Sequence, residues 1–268
     1  MSHSINSFPF TRLSQGHLNL LENCPRKFQH IYFDQLGVPI SYEQQERLSW
    51  GSHFHLLMQQ RELGLPVESL VEGEQQLHQW LSALINAAPE VLNRDTQTFR
   101  ESEHCRTLNF HGYLLTVVYD LLIGTNSCAQ ILDWKTFPQP KNRQPLATDW
   151  QTRLYLYVLT ETSDYLPEQI SMTYWFVKSQ PRPQSLKFSY SRIQHQKNRE
   201  DLTELLGQLS CWQQRYQDDP IGFPQIAAST GRCQNCSFAV RCQRTPESVV
   251  NNTKGLLANL TELQEVPL

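Results

Sequence analysis

The stretch from Leu114 to Thr136 constrains the fold of this chain more than any other. It holds two apolar runs rich in Val, Ile, Leu and Tyr, separated by the turn-forming residues Gly-Thr-Asn-Ser at 124–127. Residues of this kind on both sides of such a break predict a β-hairpin. If the loop consists of those four residues, Asp120 pairs with Ile131 across the two strands. A sheet is therefore expected at the centre of the domain.

Two carboxylates and one amine fall on the same face of this predicted hairpin. Side chains repeat every second residue along a strand, so Asp133 and Lys135 share the face of Asp120. Burial of an unpaired carboxylate among apolar residues costs several kcal/mol. One interpretation is a buried ion pair between Lys135 and one of the aspartates. The other is a site for Mg²⁺ or Mn²⁺ with two hard oxygen ligands and the lysine beside the attacking water.

The composition of the 268 residues is that of a soluble globular protein. The net charge is −3, so general basicity does not indicate a nucleic-acid partner, and phosphate contacts would have to come from a local patch. No apolar run approaches the roughly 18 residues that a membrane helix needs. The N-terminal sequence lacks a secretory pattern. We therefore expect a cytoplasmic protein without a membrane partner, built as one domain with an appendage.

Seven cysteines in a reducing compartment argue against a disulfide framework and for a metal site or free thiols. Cys233, Cys236 and Cys242 have the spacing C-x2-C-x5-C in a turn-rich segment, which can wrap one metal ion or cluster. A fourth ligand is then needed, and we choose Cys24, which lies outside the predicted sheet. Three unrelated thiols are one alternative. Zinc is the other, although zinc ribbons tend to offer two C-x2-C pairs and this chain has one.

The spacing of apolar residues predicts a helix from about Glu43 to Leu63. His55 lies at the edge of its apolar stripe, with Gly51 one turn earlier on the same side. A glycine inside a helix costs about 0.5–1 kcal/mol and often permits close approach of another group. His55 is therefore either a structural residue at the core boundary or a functional one.

A second helix is predicted after the hairpin, capped by Thr148 or Asp149 and running through Thr160. Gln151 and Tyr155 lie one turn apart on one of its faces. Taken alone, they would be a solvated glutamine and a half-buried tyrosine. The other predicted elements are helices at 72–88 and 198–217 and strands at 98–113, 171–179 and 186–191.

With these motifs in this order, the sequence resembles the RecB-like branch of the PD-(D/E)XK nucleases. It resembles the iron–sulfur members in particular, which include AddB-type recombination nucleases and CRISPR-associated exonucleases. The resemblance runs from about Ser14 to Cys242. The matching motifs are G-x-x-x-H at Gly51–His55, the first acid at Asp120, D-x-K-T at Asp133–Thr136, Q-x-x-x-Y at Gln151–Tyr155, and the cysteine pattern at Cys24, Cys233, Cys236 and Cys242.

The resemblance implies an α/β fold with a restriction-endonuclease-like core, in which a mixed central β-sheet is flanked by helices. It also implies a single nuclease domain over residues 1–243, followed by a C-terminal tail at 244–268. An iron–sulfur lobe would join the N- and C-terminal segments, from about 14–30 and 223–243, with a [4Fe–4S] cluster on the four cysteines.

The same resemblance assigns roles to the polar residues. His55, Asp120, Asp133 and the backbone carbonyl of Trp134 would hold Mg²⁺ or Mn²⁺. Lys135 would orient or deprotonate the attacking water and offset charge in the transition state. Gln151 and Tyr155 would position Lys135 and the DNA backbone. The candidates for a phosphate-binding track are Lys141, Arg143, Lys178, Arg182 and Arg241.

The expected function is therefore that of a metal-dependent DNA exonuclease on single-stranded ends, in DNA repair, recombination or CRISPR adaptation. Helicases or CRISPR adaptation proteins are the expected partners. The alternative is a non-cleaving DNA-binding or scaffold module with the same fold and a structural zinc or iron–sulfur site. The lysine argues against it, because a module that only binds does not need that residue. A small-molecule or RNA hydrolase on the same fold is a third possibility.

Overall fold

The computed structural model describes residues 11–38, 40–67, 74–89, 98–218 and 222–244. The predicted tail therefore lies outside the described residues from 245 onward. The strands are β1 (Arg12–Leu13), β2 (Phe99–Phe110), β3 (Tyr113–Gly124), β4 (Ala129–Lys135), β5 (Ile170–Phe176) and β6 (Gln184–Ser189). The α-helices are α1 (Gln15–Asn23), α2 (Pro25–Tyr32), α3 (Tyr42–Glu62), α4 (Gln75–Ala87), α5 (Gln144–Thr148), α6 (Trp150–Glu161) and α7 (Arg192–Asp218).

The six strands form one mixed sheet. Its order is β1-β3-β4-β5-β6, and β2 pairs with β3 along the remaining edge of that strand. The pairs β1/β3 and β4/β5 are parallel, and the other three are antiparallel. This mixed sheet with its flanking helices confirms the predicted α/β class and is consistent with a restriction-endonuclease-like core.

The register of the central hairpin differs from the predicted one. Gly124 pairs with Ala129, and Leu122 pairs with Ile131, so the prediction that Asp120 faces Ile131 was wrong. The register is displaced by two residues. Because this displacement is even, it preserves the assignment of alternate β4 side chains to the two faces.

Thr125 explains the position of the turn. Its hydroxyl accepts hydrogen bonds from the backbone N–H groups of Ser127 and Cys128, at 3.2 and 3.1 Å. Its own N–H donates to the carbonyl of Cys128 at 2.9 Å. A side chain that satisfies the turn backbone in this way fixes a loop of four residues, 125–128.

Helices cover both faces of the sheet. On one face, α3 and α4 bury Phe54, Trp80 and their neighbours against Leu132 and Trp134 of β4. On the other face, α6 contacts β2, β3 and β5. Successive side chains of β4 thus lie on opposite faces of the sheet. Trp134 packs in the core under α3, and Asp133 contacts Gln151 of α6.

The chain divides into two compact units. Among the described residues, one comprises 11–19 and those from 40 to 215 and contains the sheet, and the other comprises 20–38, 216–218 and 222–244. Helix α1 ends at Asn23, and Pro25 is the first residue of α2, where its missing N–H costs nothing. The thiol of Cys24 caps α2 by accepting from Lys27 N at 3.4 Å. Within the described residues, no helix is long and apolar enough to cross a membrane.

Candidate metal and catalytic site

The candidate site lies where strands β3 and β4 separate. Their backbone ladder ends at the pair Leu121 and Leu132. Beyond that pair, the N–H of Trp134 donates to Oδ2 of Asp120 at 2.7 Å. The carboxylate therefore takes the place of a backbone acceptor at the point where the strands part, and its second oxygen is directed elsewhere.

His55 of α3 contacts that second oxygen. Its Nδ1 lies 3.2 Å from Oδ1 of Asp120, and its Nε2 lies 3.0 Å from the carbonyl oxygen of Trp134. Burial alone lowers the pKa of the imidazole, but the hydrogen bond and charge of Asp120, the charge of Asp133 and the Trp134 carbonyl together raise it to about 9. In the metal-free protein at neutral pH, the ring is therefore a cation that donates from both nitrogens.

Gly51 lies one turn before His55, opposite Thr136 at the end of β4. A Cβ at this position would meet Oγ1 of Thr136 at 3.5 Å, an ordinary van der Waals contact. The glycine brings α3 close to the end of β4, but an alanine would also fit. The packing of α3 against the end of β4, which positions His55, therefore does not require a glycine at residue 51.

Asp133, Lys135 and Gln151 form a closed triangle of polar contacts. Gln151 donates from Nε2 to Oδ2 of Asp133 at 2.5 Å and accepts at Oε1 from the ammonium of Lys135 at 2.8 Å. The ammonium also lies 2.6 Å from Oδ1 of Asp133, an ion pair whose angles fall short of a hydrogen bond. Asp133 is only 1% exposed, and burial and the charge of Asp120 raise its pKa despite Lys135 and His55. Two carboxylates, Asp133 and Asp120, thus lie beside two cations, Lys135 and His55.

Helix α6 positions Gln151 and Tyr155. Asp149 caps its first turn by accepting from Gln151 N at 2.7 Å. Tyr155 is 4% exposed and packs edge-on against Tyr119, whose hydroxyl donates to its carbonyl at 3.1 Å. Burial and the nearby carboxylates Asp133 and Asp120 raise the pKa of Tyr155. The alternative of a solvated glutamine and a half-buried tyrosine does not describe them, because Tyr155 is buried and Gln151 contacts Lys135 and Asp133.

Glu103 is a residue of the site that sequence reasoning missed. On β2 its neighbours Ser102 and His104 pair with Leu121 and Tyr119, so Glu103 stands opposite Asp120. Its φ of 51° places it in the left-handed region, which is uncommon for a residue other than glycine. Burial and the charge of Asp120 raise the pKa of its carboxyl, while His55 lowers it. Nothing in the local sequence signals this role, because it arises from pairing between strands.

The donor atoms of these side chains suit a hard divalent cation. Among the described residues, one set of three or more His, Cys, Asp or Glu side chains brings its ligand atoms within 4.8 Å of one another: His55, Glu103 and Asp120. Carboxylate oxygens with an imidazole and a carbonyl fit Mg²⁺ or Mn²⁺. Asp133 is outside this set, and its Oδ1 lies 2.6 Å from the ammonium of Lys135.

A groove of about 1130 Å³ opens beside this set along α3 and includes His55, Glu103 and Phe137 in its lining. Of the predicted phosphate contacts, Lys178 lies in this groove, with its ammonium 4.3 Å from the Trp80 ring. The other four are not brought together there. Arg143 stacks on Phe188 and donates to the carbonyl of Lys187, Lys141 and Arg182 are exposed on loops, and Arg241 is exposed in the second unit.

The four predicted cluster ligands lie together in the second unit. Cys24, Cys233, Cys236 and Cys242 line one small cavity. Burial raises the pKa of Cys242, Arg26 lowers it, and the other three thiols raise it again. The remaining cysteines are exposed, namely Cys105, Cys128 and Cys211.

Comparisons with known proteins identify the family of this chain. A family model described as the PD-(D/E)XK nuclease superfamily matches residues 12–243. The crystal structure of a protein from Eubacterium rectale, named "Putative exonuclease", superposes with a TM-score of 0.52 at 9% identity, covering 100% of this chain and 95% of that chain. The crystal structure of SSO0001 gives a TM-score of 0.38 at 14% identity, with coverage of 86% and 84%. A search of curated proteins gives no significant match. The match over residues 12–243 shows that this chain belongs to the PD-(D/E)XK nuclease superfamily.

Proposed function

We propose that this protein is a metal-dependent DNA nuclease that acts as an exonuclease on single-stranded ends. Membership of the nuclease superfamily supports the class of reaction. The observation that carries the proposal is the triangle in which Gln151 joins the ammonium of Lys135 to the carboxylate of Asp133. Asp120 and His55 stand beside it. A module that only binds DNA has no use for a partly buried lysine held in this way.

The side chains divide the chemical work. Asp120, Asp133, His55 and the carbonyl of Trp134 would hold the cation. When bound, a divalent cation supplies charge stabilisation at the phosphoryl oxygens and lowers the pKa of water. Lys135, fixed by Gln151, would orient the attacking water and offset negative charge as the phosphodiester reacts. Tyr155, one turn along α6, would help to position Gln151 and the DNA backbone.

The groove along α3 supports a single strand as the substrate. It exposes Phe137 and Leu56 beside Arg47 and Lys178. Aromatic or apolar surfaces that stack bases, together with cations that contact phosphates, are the usual elements of a single-strand track. Single-stranded DNA and RNA offered side by side, with and without a duplex, would test this preference.

Lys135→Ala is the decisive test of the catalytic proposal. With Mn²⁺ or Mg²⁺, the purified variant should lose cleavage of single-stranded DNA while DNA binding stays within a few-fold of wild type. Lys187→Ala, which changes an exposed lysine of β6, is the matched control and should retain cleavage. Cleavage by the K135A protein, or a wild-type protein that binds DNA but never cuts it at any metal concentration, would contradict the proposal.

We further propose that Cys24, Cys233, Cys236 and Cys242 hold a [4Fe–4S] cluster with a structural role. The four thiols line one small cavity. The last three have the spacing C-x2-C-x5-C, which can wrap one cluster, and Cys24 supplies the fourth ligand. A cluster joining Cys24 to Cys233 closes a loop of about 200 residues, which is worth several kcal/mol of loop-closure entropy.

Colour and metal content test the cluster. Anaerobically purified protein should be brown, and Cys233→Ser should be colourless and poorly soluble. Cys105→Ser, which changes an exposed thiol outside the set, should stay brown. A colourless wild-type protein with one zinc ion per chain would replace this proposal with the zinc interpretation.

We place this activity in the cytoplasm, in DNA repair, recombination or CRISPR adaptation, with helicases or CRISPR adaptation proteins as partners. The support is the set of motifs shared in order with the RecB-like iron–sulfur nucleases. Deletion of the coding sequence followed by assays of DNA-damage survival and spacer acquisition would decide among these settings.

A further inference from the structure

We propose that Glu103 is a ligand of the active-site divalent cation, on the side of the site formed by His55 and Asp120. This inference rests on the proposed metal-dependent nuclease function and extends its ligand set to a residue outside the sequence motifs. It gives the site a carboxylate from β2 in addition to those from β3 and β4.

The first support is position. The β2–β3 ladder pairs every residue of β2 from Phe99 to Phe110 except Glu103, which stands opposite Asp120 where the pairing is interrupted. Its carboxylate oxygen, an imidazole nitrogen of His55 and an oxygen of Asp120 all lie within 4.8 Å of one another. One cation between them could contact all three at distances of about 2.0–2.6 Å.

The second support is that the Glu103 carboxylate has no protein partner among the described residues. It makes no hydrogen bond or ion pair with any residue that the structure describes. Two other partly buried carboxylates do have partners: Glu62 contacts Arg100 at 3.1 Å, and Asp34 contacts His30 at 2.7 Å. Glu101, two residues earlier on β2, contacts His104 at 2.8 Å. A partly buried carboxylate beside a like charge needs a cation to compensate it.

The third support is that the other two carboxylates of the site, Asp120 and Asp133, already have contacts at both oxygens. Both oxygens of Asp133 are already contacted by Gln151 and Lys135. Asp120 gives one oxygen to Trp134 N and the other to His55. Glu103 is therefore the carboxylate of the site with both oxygens available, and it faces the groove in which a substrate phosphate would lie.

Direct measurement of Mn²⁺ binding to the full-length protein, by calorimetry and by electron paramagnetic resonance, tests the assignment. Glu103→Gln should weaken Mn²⁺ binding at least tenfold. It should raise the Mn²⁺ concentration for half-maximal cleavage by a similar factor. The matched control Glu101→Gln, two residues away on the same strand, should bind Mn²⁺ within twofold of wild type.

A thermal melt of the metal-free proteins separates a ligand from a structural residue. If Glu103 is a ligand, E103Q should melt no lower than wild type without metal and should gain less stability when Mn²⁺ is added. Glu103→Asn is a second variant for the case in which E103Q does not fold, because asparagine tolerates a positive φ.

The outcomes distinguish this inference from the proposed function. If E103Q and E103N bind Mn²⁺ within twofold of wild type while D120N loses binding, Glu103 is not a ligand and the nuclease proposal is unaffected. If wild-type protein binds Mn²⁺ through Glu103 but cuts no nucleic acid, the nuclease proposal fails and the ligand assignment stands. If wild-type protein binds no Mn²⁺, both fail.

Discussion

Oδ2 of Asp120 accepts the backbone N–H of Trp134 at 2.7 Å, although the two residues belong to different strands that no longer pair at this level. The carboxylate thus serves the fold and the candidate metal site together. The ladder between β3 and β4 can end early without leaving a buried donor unsatisfied, because an acidic side chain replaces the backbone acceptor. The separation of the strands then creates the space in which His55 reaches the Trp134 carbonyl.

Substitutions at Asp120 should separate these two roles. Asp120→Ala should lower the free energy of unfolding of the metal-free protein by about 1–3 kcal/mol, because the buried N–H of Trp134 loses its acceptor. Asp120→Asn keeps an oxygen that can accept this bond, so its loss should be smaller. Both variants should lose metal-dependent cleavage. Urea unfolding provides the measurement, and equal stability of D120A and D120N would show that the bond to Trp134 N contributes little.

Gln151→Ala should reduce cleavage while leaving metal binding nearly unchanged. Gln151 contacts no predicted metal position except through Asp133, but it fixes the ammonium of Lys135. Loss of such positioning by about 1 Å can cost roughly 100-fold in rate. We expect a fall in kcat of about 10- to 100-fold at saturating Mn²⁺. Gln208→Ala, at an exposed position of α7, is the control. A tenfold loss of Mn²⁺ affinity in Q151A would instead make Gln151 part of the metal site.

Metal binding should release protons, and its affinity should increase with pH. The pKa of His55 is about 9 in the metal-free protein, so at pH 7 the imidazole must lose a proton before its nitrogen can bind a cation. The apparent affinity should therefore fall roughly tenfold for each pH unit below about 9. Calorimetry at pH 7 in buffers of different ionisation enthalpy should show about one proton released by His55 per ion. His53→Gln, an exposed neighbour, should preserve this release and His55→Gln should remove it.

Arg100→Ala should destabilise the packing of α3 on β2. The guanidinium of Arg100 binds both oxygens of Glu62 at 3.1 Å, and the two side chains are 10% and 6% exposed. Removing one partner of a buried pair leaves the other charge uncompensated. Because Arg61 also lies 3.4 Å from Glu62, we expect a loss of roughly 3 kcal/mol, near the low end for such pairs. A double-mutant cycle with Glu62→Gln measures the coupling, and additive losses would show that the two side chains act independently.

The sequence was sufficient to locate most of the helices and strands. Periodicity located α3 and α6 to within two residues, and the pairing of apolar runs located the hairpin. The hairpin register was missed because it depends on the hydroxyl of Thr125, whose bonds to the turn backbone have no periodic signature. The face of the β4 side chains was nevertheless retained, since the register moved by an even number of residues.

Glu103 was overlooked because nothing in the sequence around it indicates a place beside Asp120. Its place depends on which residue of β3 lies opposite, and on a positive φ at a residue type that rarely adopts one.

The one-sided support of β4 has a consequence for how catalysis can be tuned. Beyond Leu132 this strand has lost β3 as a neighbour, but it remains paired with β5 along its whole length, through Lys135 opposite Phe176. Pairing with β5 therefore fixes the position of the end of β4 that carries Asp133 and Lys135. Substitutions that shift β5, such as at Tyr174 beneath the lysine, can alter turnover without changing any ligand. A search for altered rates should therefore include a strand that carries no active-site group.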